Sequence, residues 1–115
     1  MVRQSRYTKE LIDANPEFTV SFPVKEGFAK ALGLCGSKSG RDLDKFAAAG
    51  LTTVAGETVS VPVINGCGLH LECKIVEQYT MAEDKFDKEL CEKWYANKDW
   101  HTCYTGVITA AYVEE

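Results

Sequence analysis

The sequence predicts a mainly β fold with helices, a small mixed barrel or sheet rather than a βαβ sandwich. Three observations carry that expectation. At 115 residues the chain is long enough for one core and short of two, so residues 1–115 read as a single domain. Period-two alternation marks two stretches, Glu17–Phe22 and Gly66–Tyr79. The elements follow one another as helix, strand, two helices, strands, helix, strand, with no internal repeat.

Arg6 to Asn15 has helical spacing, with Tyr7, Leu11, Ile12 and Ala14 mostly on one face, and it stops where Asn15 precedes Pro16. Ser5 stands where an N-cap is expected. A helix start leaves backbone N–H groups unpaired and carries the positive end of the macrodipole. A phosphate there would also meet the Ser5 and Thr8 hydroxyls and the guanidinium of Arg3 or Arg6. The plainer alternative is a capped surface helix with two solvated arginines.

Phe18, Val20 and Phe22 share one face of a strand ended by Pro23, and Val24 to Leu34 returns to helical spacing through Phe28, Ala31 and Leu32. Cys35 to Gly40 is a polar, glycine-bounded turn. Arg41 to Ala49 reads as a helix closed by Gly50, with Lys45 either near an anion or pairing locally with Asp42 while Arg41 pairs with Asp44. A short strand is expected at Thr58–Val61. In Gly66–Tyr79, the longest strand, Leu69, Leu71, Cys73 and Ile75 oppose His70, Glu72, Lys74 and Val76, which places the first set inside and the second in water. Residues 82–99 are highly charged, with Phe86, Leu90 and Trp94 at helical spacing, and predict an amphipathic helix that needs the barrel or a second subunit to rest on. Trp100–Val113 closes the chain as a strand.

Composition narrows the function. Apolar and charged fractions of 45% and 26% are those of a globular domain. Of the net charge of −4, the excess of acid lies after residue 45: eight Lys/Arg face six Asp/Glu before that point and five face eleven after it. An anion site therefore belongs to the first part of the chain. No basic stripe interleaved with aromatics points to nucleic acid, no apolar run approaches the roughly 20 residues of a membrane helix, and no signal-like segment opens the chain. A cytoplasmic protein is expected. Five cysteines without a CxxC pair fit free thiols, and Cys67 and Cys73, about 20 Å apart along a strand with His70 on the other face, do not suggest a metal site. No nucleophile–base pair suggests hydrolysis.

Several stretches, in order, resemble one family. They are Arg3-x-Ser5-Arg6-Tyr7-Thr8-x-Glu10-Leu11-Ile12, Phe18–Pro23, Cys35-Gly36-x-x-Ser39-Gly40-Arg41-Asp42-x-Asp44-Lys45-Phe46, Leu69-x-Leu71-Glu72-Cys73, and His101-Thr102 leading to Gly106-Val107-Ile108. Together they are similar to the flavin reductase-like, FMN-binding split-barrel family, and within it to the flavoredoxin branch. The resemblance implies an FMN whose phosphate is held by Arg3, Ser5, Arg6 and Thr8 at the first helix start and by Lys45, with Ser39 and Gly40 shaping the loop that brings Lys45 inward. It places His101 near the flavin or near where a nicotinamide approaches, against the alternative of a plain surface histidine. The cofactor would carry hydride and electrons between NAD(P)H, flavin and a redox partner protein, and the protein would position it.

The family also carries strands of the barrel before the Arg-x-Ser-x-x-Thr element, and here that element follows Met1 and Val2 directly. The resemblance thus implies an N-terminally short split barrel, either part of a longer protein or completed across a homodimer, with 82–99 as the reaching arm. Two further readings stand beside it, a dimeric interaction domain that no longer binds flavin and a barrel holding another phosphorylated ligand such as pyridoxal phosphate.

Overall fold

The computed structural model describes residues 1–115. Its centre is a four-stranded antiparallel sheet in the order β1 (Val2–Arg3), β6 (His101–Val113), β5 (Gly68–Thr80), β2 (Glu17–Pro23). The two 13-residue strands β5 and β6 form its spine, with register shifts at Glu72/Cys73 and Ile75/Glu77. Gly106 allows the second of these strands to pass beneath Phe18, whose ring would lie 2.7 Å from a Cβ there. A second sheet pairs β3 (Thr53–Val54) with β4 (Val63–Ile64). Helix α1 (Tyr7–Ala14) lies against β6, where the Tyr104 hydroxyl donates to the Asp13 carboxylate at 2.7 Å. The sheet does not close, and no helix is long and apolar enough to cross a membrane.

The helices depart from the sequence expectation wherever a backbone donor finds another partner. The expected Val24–Leu34 helix is α2 at Ala29–Ser37, because the Val24 N–H stays bonded to the Cys67 carbonyl and Gly27 turns at φ +102°. The expected Arg41–Ala49 helix is the shorter α3 at Lys45–Ala49. Asp44 caps it by accepting from the Phe46 and Ala47 N–H groups, and Gly50 ends it at φ 67°. Residues 82–95 are not one helix: a 3₁₀ turn at Glu83–Lys85 is followed by extended Phe86 and then α4 (Lys88–Trp94), restarted by Asp87 accepting from the Leu90 N–H. Ser5 is not the cap of α1, since Arg6 occupies that position without a side-chain cap bond.

The wet face expected on β5 is also corrected at two positions. His70 and Glu72 are fully buried, whereas Lys74 and Val76 are exposed. Burial of the carboxylate is tolerated because its oxygens are held, whereas the buried His70 ring is hydrogen-bonded only through Nδ1. The Glu72 carboxylate accepts from the N–H groups of Glu57 and Thr58 and from the hydroxyls of Thr58 and Tyr112, at 2.6–3.0 Å. These bonds turn Thr58–Val61 into a loop lashed to the sheet, not the strand that was expected. His70 lies with Nδ1 2.9 Å from Ser21 Oγ and Nε2 3.3 Å from the Glu114 carboxylate.

Candidate functional site

A cleft of about 1250 Å³ opens between the start of α1, the end of β2, α2, the loop into α3 and the start of β6. Arg3, Ser5, Arg6, Thr8, Ser39, Lys45 and His101 all line it. Five cations on its wall, Arg3, Arg6, Lys38, Arg41 and Lys45, face only two carboxylates, Asp42 and Asp44. Its apolar wall includes Leu11, Leu32 and Phe46, which are 52%, 59% and 43% exposed. A basic rim beside an exposed apolar wall suits an amphipathic anionic ligand, and the volume exceeds the upper end, about 1000 Å³, of ordinary small-molecule sites.

The start of α1 supplies the donors. Arg6 at the cap position is extended (ψ 144°), and the Tyr7 and Thr8 N–H groups meet no protein acceptor. Neither Arg6 nor Lys45 belongs to any of the four ion pairs of the chain. Lys45 instead donates to the Cys35 carbonyl at 2.7 Å, which ties α3 to the end of α2 and leaves two of its ammonium hydrogens for another partner. The local pairing expected for Lys45 and Arg41 does not form. Arg41 reaches back to α1, donating to the Ser5 carbonyl at 2.9 Å and to Glu10, with its guanidinium 5.5 Å above the Tyr7 ring. Gly40 admits that approach, since a Cβ there would lie 3.0 Å from the Tyr7 ring. Ser39 caps the same turn by accepting from the Arg41 N–H at 3.2 Å.

Arg3 and Ser5 are engaged elsewhere. Ser5 donates both its N–H, at 3.0 Å, and its hydroxyl to the Asp99 carboxylate. Arg3 donates to the carbonyls of Asp99 and Trp94 at 3.1 and 3.2 Å and lies 5.0 Å above the Tyr95 ring. The two residues therefore bind segment 82–99 to the first strand. The Ser5 hydroxyl bond is the main influence holding Asp99 below the usual carboxylate range, with the charges of Arg3 and Arg6 adding to it. His101 opens β6 beside the same segment, its Nδ1 within hydrogen-bond reach of the Tyr95 hydroxyl.

Sequence reasoning passed over Arg41, which lines the cleft, and Asp99 and Tyr95, which hold Ser5 and His101 from outside it. Only Arg41 left a signal, inside the Ser39-Gly40-Arg41-Asp42 block. Two free thiols, the half-buried Cys35 and the buried Cys67, lie on the cleft wall. Burial raises the Cys67 thiol above its ordinary value, which keeps it protonated, and no three His, Cys, Asp or Glu side chains come together as a metal site. The arrangement can bind and orient an anion that carries an apolar ring system.

Comparison with known proteins gives this geometry a context. The sequence model described as "Flavin reductase like domain" matches residues 1–115. The flavoredoxin of Desulfovibrio vulgaris (Miyazaki F) superposes with a TM-score of 0.75 at 28% identity, over 99% of this chain and 51% of that one. The flavoredoxin of Methanosarcina acetivorans gives 0.71 at 34% identity, over 99% and 50%. An uncharacterised protein of Archaeoglobus fulgidus is 36% identical over 77 residues, 67% of this chain and 43% of its own length. The chain spans a little under half the length of the curated relatives it matches, 43% and 46%. With the open sheet and flanking helices of a split barrel, and with the family model matched from end to end, the chain belongs to the flavin reductase-like domain family.

Proposed function

We propose that the cleft binds FMN and that the chain serves flavin-dependent electron transfer, as a flavin reductase or a flavoredoxin-like carrier. One observation carries the reading: the unpaired Tyr7 and Thr8 N–H groups and Arg6 open onto the same cleft as Lys45 and Ser39, next to an apolar wall. A phosphate monoester fits that donor set, because helix N–H groups and two unpaired cations answer a dianion, while Thr8 offers a hydroxyl. Arg3 and Ser5 support the seat from behind through Asp99, and a phosphate arriving there competes with that carboxylate for the Ser5 donors. The apolar wall takes the ring system. Bound flavin supplies the hydride and electron chemistry. The chain's own residues bind the phosphate and exclude water from the ring.

NAD(P)H is the proposed electron donor and a redox protein the proposed acceptor. A homodimer is the proposed working form, and the five free thiols suit the reducing interior of a cell. The similarity to two flavoredoxins above 25% identity supports the flavin part of this reading.

The test is the visible spectrum of the purified chain after incubation with FMN and removal of excess by gel filtration. A retained flavin band is expected. Lys45→Ala should weaken FMN by roughly 10-fold to 100-fold, the worth of a hydrogen bond to a charged group, and leave riboflavin binding unchanged. A colourless protein that cannot be reconstituted overturns the flavin reading and favours an interaction domain. Displacement of FMN by pyridoxal phosphate at equal concentration would reassign the seat to another phosphorylated cofactor.

A further inference from the structure

The His101 ring is the one imidazole on the cleft wall, and its two nitrogens have different surroundings. Nδ1 faces the Tyr95 hydroxyl, with the two rings edge to face at 89° and 5.6 Å. Nε2 makes no hydrogen bond within the chain, and the residue lines the cleft. Tyr95 is itself fixed: it is 6% exposed, stacks on Trp100 at 4.8 Å and meets the edge of Phe86 at 5.2 Å. Its hydroxyl has two acceptors in reach, His101 Nδ1 and, at 3.4 Å, the thioether of Met81. A thioether is a weak acceptor and a neutral imidazole nitrogen a strong one, so the phenol proton goes to Nδ1. The remaining ring proton then belongs on Nε2.

We infer that Tyr95 is a positioning residue that fixes His101 as the Nε2–H tautomer, so that the cleft presents a neutral donor to a carbonyl or ring-nitrogen acceptor. The charges around the ring agree. Burial is the main influence lowering the His101 pKa, and Arg3, the N-terminal amine and Arg6 add to it, with Asp99 alone pulling the other way. A neutral imidazole adds no charge to the phosphate seat and is suited to the uncharged polar edge of a ring. The identity of that acceptor rests on the flavin reading; the tautomer does not.

The chain has two histidines, so nitrogen-15 spectra of the imidazoles resolve the question directly, with His101→Gln supplying the assignment. At neutral pH the parent chain should show His101 protonated at Nε2 and bare at Nδ1. In Tyr95→Phe, which keeps the stacked ring, the two nitrogen shifts should converge as the tautomers mix. Affinity for riboflavin and for FMN should fall by the same factor, about threefold to tenfold, while inorganic phosphate binds unchanged. A parent ring protonated at Nδ1, or a Tyr95→Phe spectrum identical to the parent, overturns the inference. If the parent binds neither flavin, the functional reading fails, and the nitrogen shifts still decide the tautomer.

Discussion

Glu72 is a full carboxylate with no solvent contact, and its environment decides its charge. Burial alone would raise its pKa. The N–H groups of Glu57 and Thr58 and the hydroxyls of Tyr112 and Thr58 outweigh burial and pull it down to about 2. Because the folded value lies below the ordinary 4.5, folding favours the ionised form. Its contribution is complete above about pH 4.5 and is lost as the pH falls towards 2. Urea midpoints measured across that window should fall steeply, and Glu72→Gln should flatten the fall while destabilising the protein at neutral pH by roughly 1–3 kcal/mol. A variant that keeps the parent's acid sensitivity would place the sensitivity in another group. Alternation along Gly66–Tyr79 put Glu72 and His70 in water because a polarity pattern counts side chains and not their partners. The partners, Glu57, Thr58, Ser21 and Glu114, lie 14 to 49 residues away in sequence. That Ser5, Thr8 and Lys45 share one cleft wall was expected for the opposite reason, since they lie within short stretches whose residue types resemble a family pattern.

Among the elements, the long strands were readable; the two-residue strands β1, β3 and β4 and the helix limits were not, and the strand expected at Thr58–Val61 is a loop. The β2 and β5 strands fall where period two and Pro23 put them, because each is long enough for alternation to register, and β6 falls within the closing strand expected at Trp100–Val113. The limits of α3 and α4 are set by single carboxylates, Asp44 and Asp87, that cap later than the apolar spacing suggests. Segment 82–99 shows a further consequence. A charged, broken segment with a thin apolar stripe is held chiefly by its last residues, through Asp99 on Ser5 and the Trp94 and Asp99 carbonyls on Arg3. Asp99→Ala removes both the Ser5 contacts and the negative charge bonded to Ser5, beside the proposed phosphate seat. Amide exchange across residues 88–95 should accelerate, and inorganic phosphate should bind about threefold to tenfold more tightly, the scale of one net hydrogen bond regained. Unchanged exchange would mean that Arg3 and the aromatic stack of Tyr95 and Trp100 suffice to dock the segment. Weaker phosphate binding would mean that Asp99 holds Ser5 in its binding geometry.

At the scale of the molecule, burial and shape point the same way. Nine of 115 residues are buried, and the radius of gyration of 15.9 Å exceeds the roughly 13 Å of a compact chain of this length. β1 covers the outer edge of β6 only at His101 and Thr102, so the rest of that 13-residue strand offers unpaired backbone groups. Val107, Ile108 and Val113 on it are 51%, 55% and 69% exposed. An uncovered edge with exposed β-branched side chains pairs with whatever strand reaches it, and in a solution of the pure chain that is a second copy. The chain should therefore sediment as a dimer at micromolar concentration. Ile108→Lys combined with Val113→Lys places charge where a strand would approach and should shift it to a monomer that binds more apolar dye. If the unmodified chain is already monomeric and binds the dye strongly, self-pairing through β6 is wrong. If the double variant remains a dimer, the second copy docks elsewhere, with the exposed apolar wall of the cleft as the next face to charge.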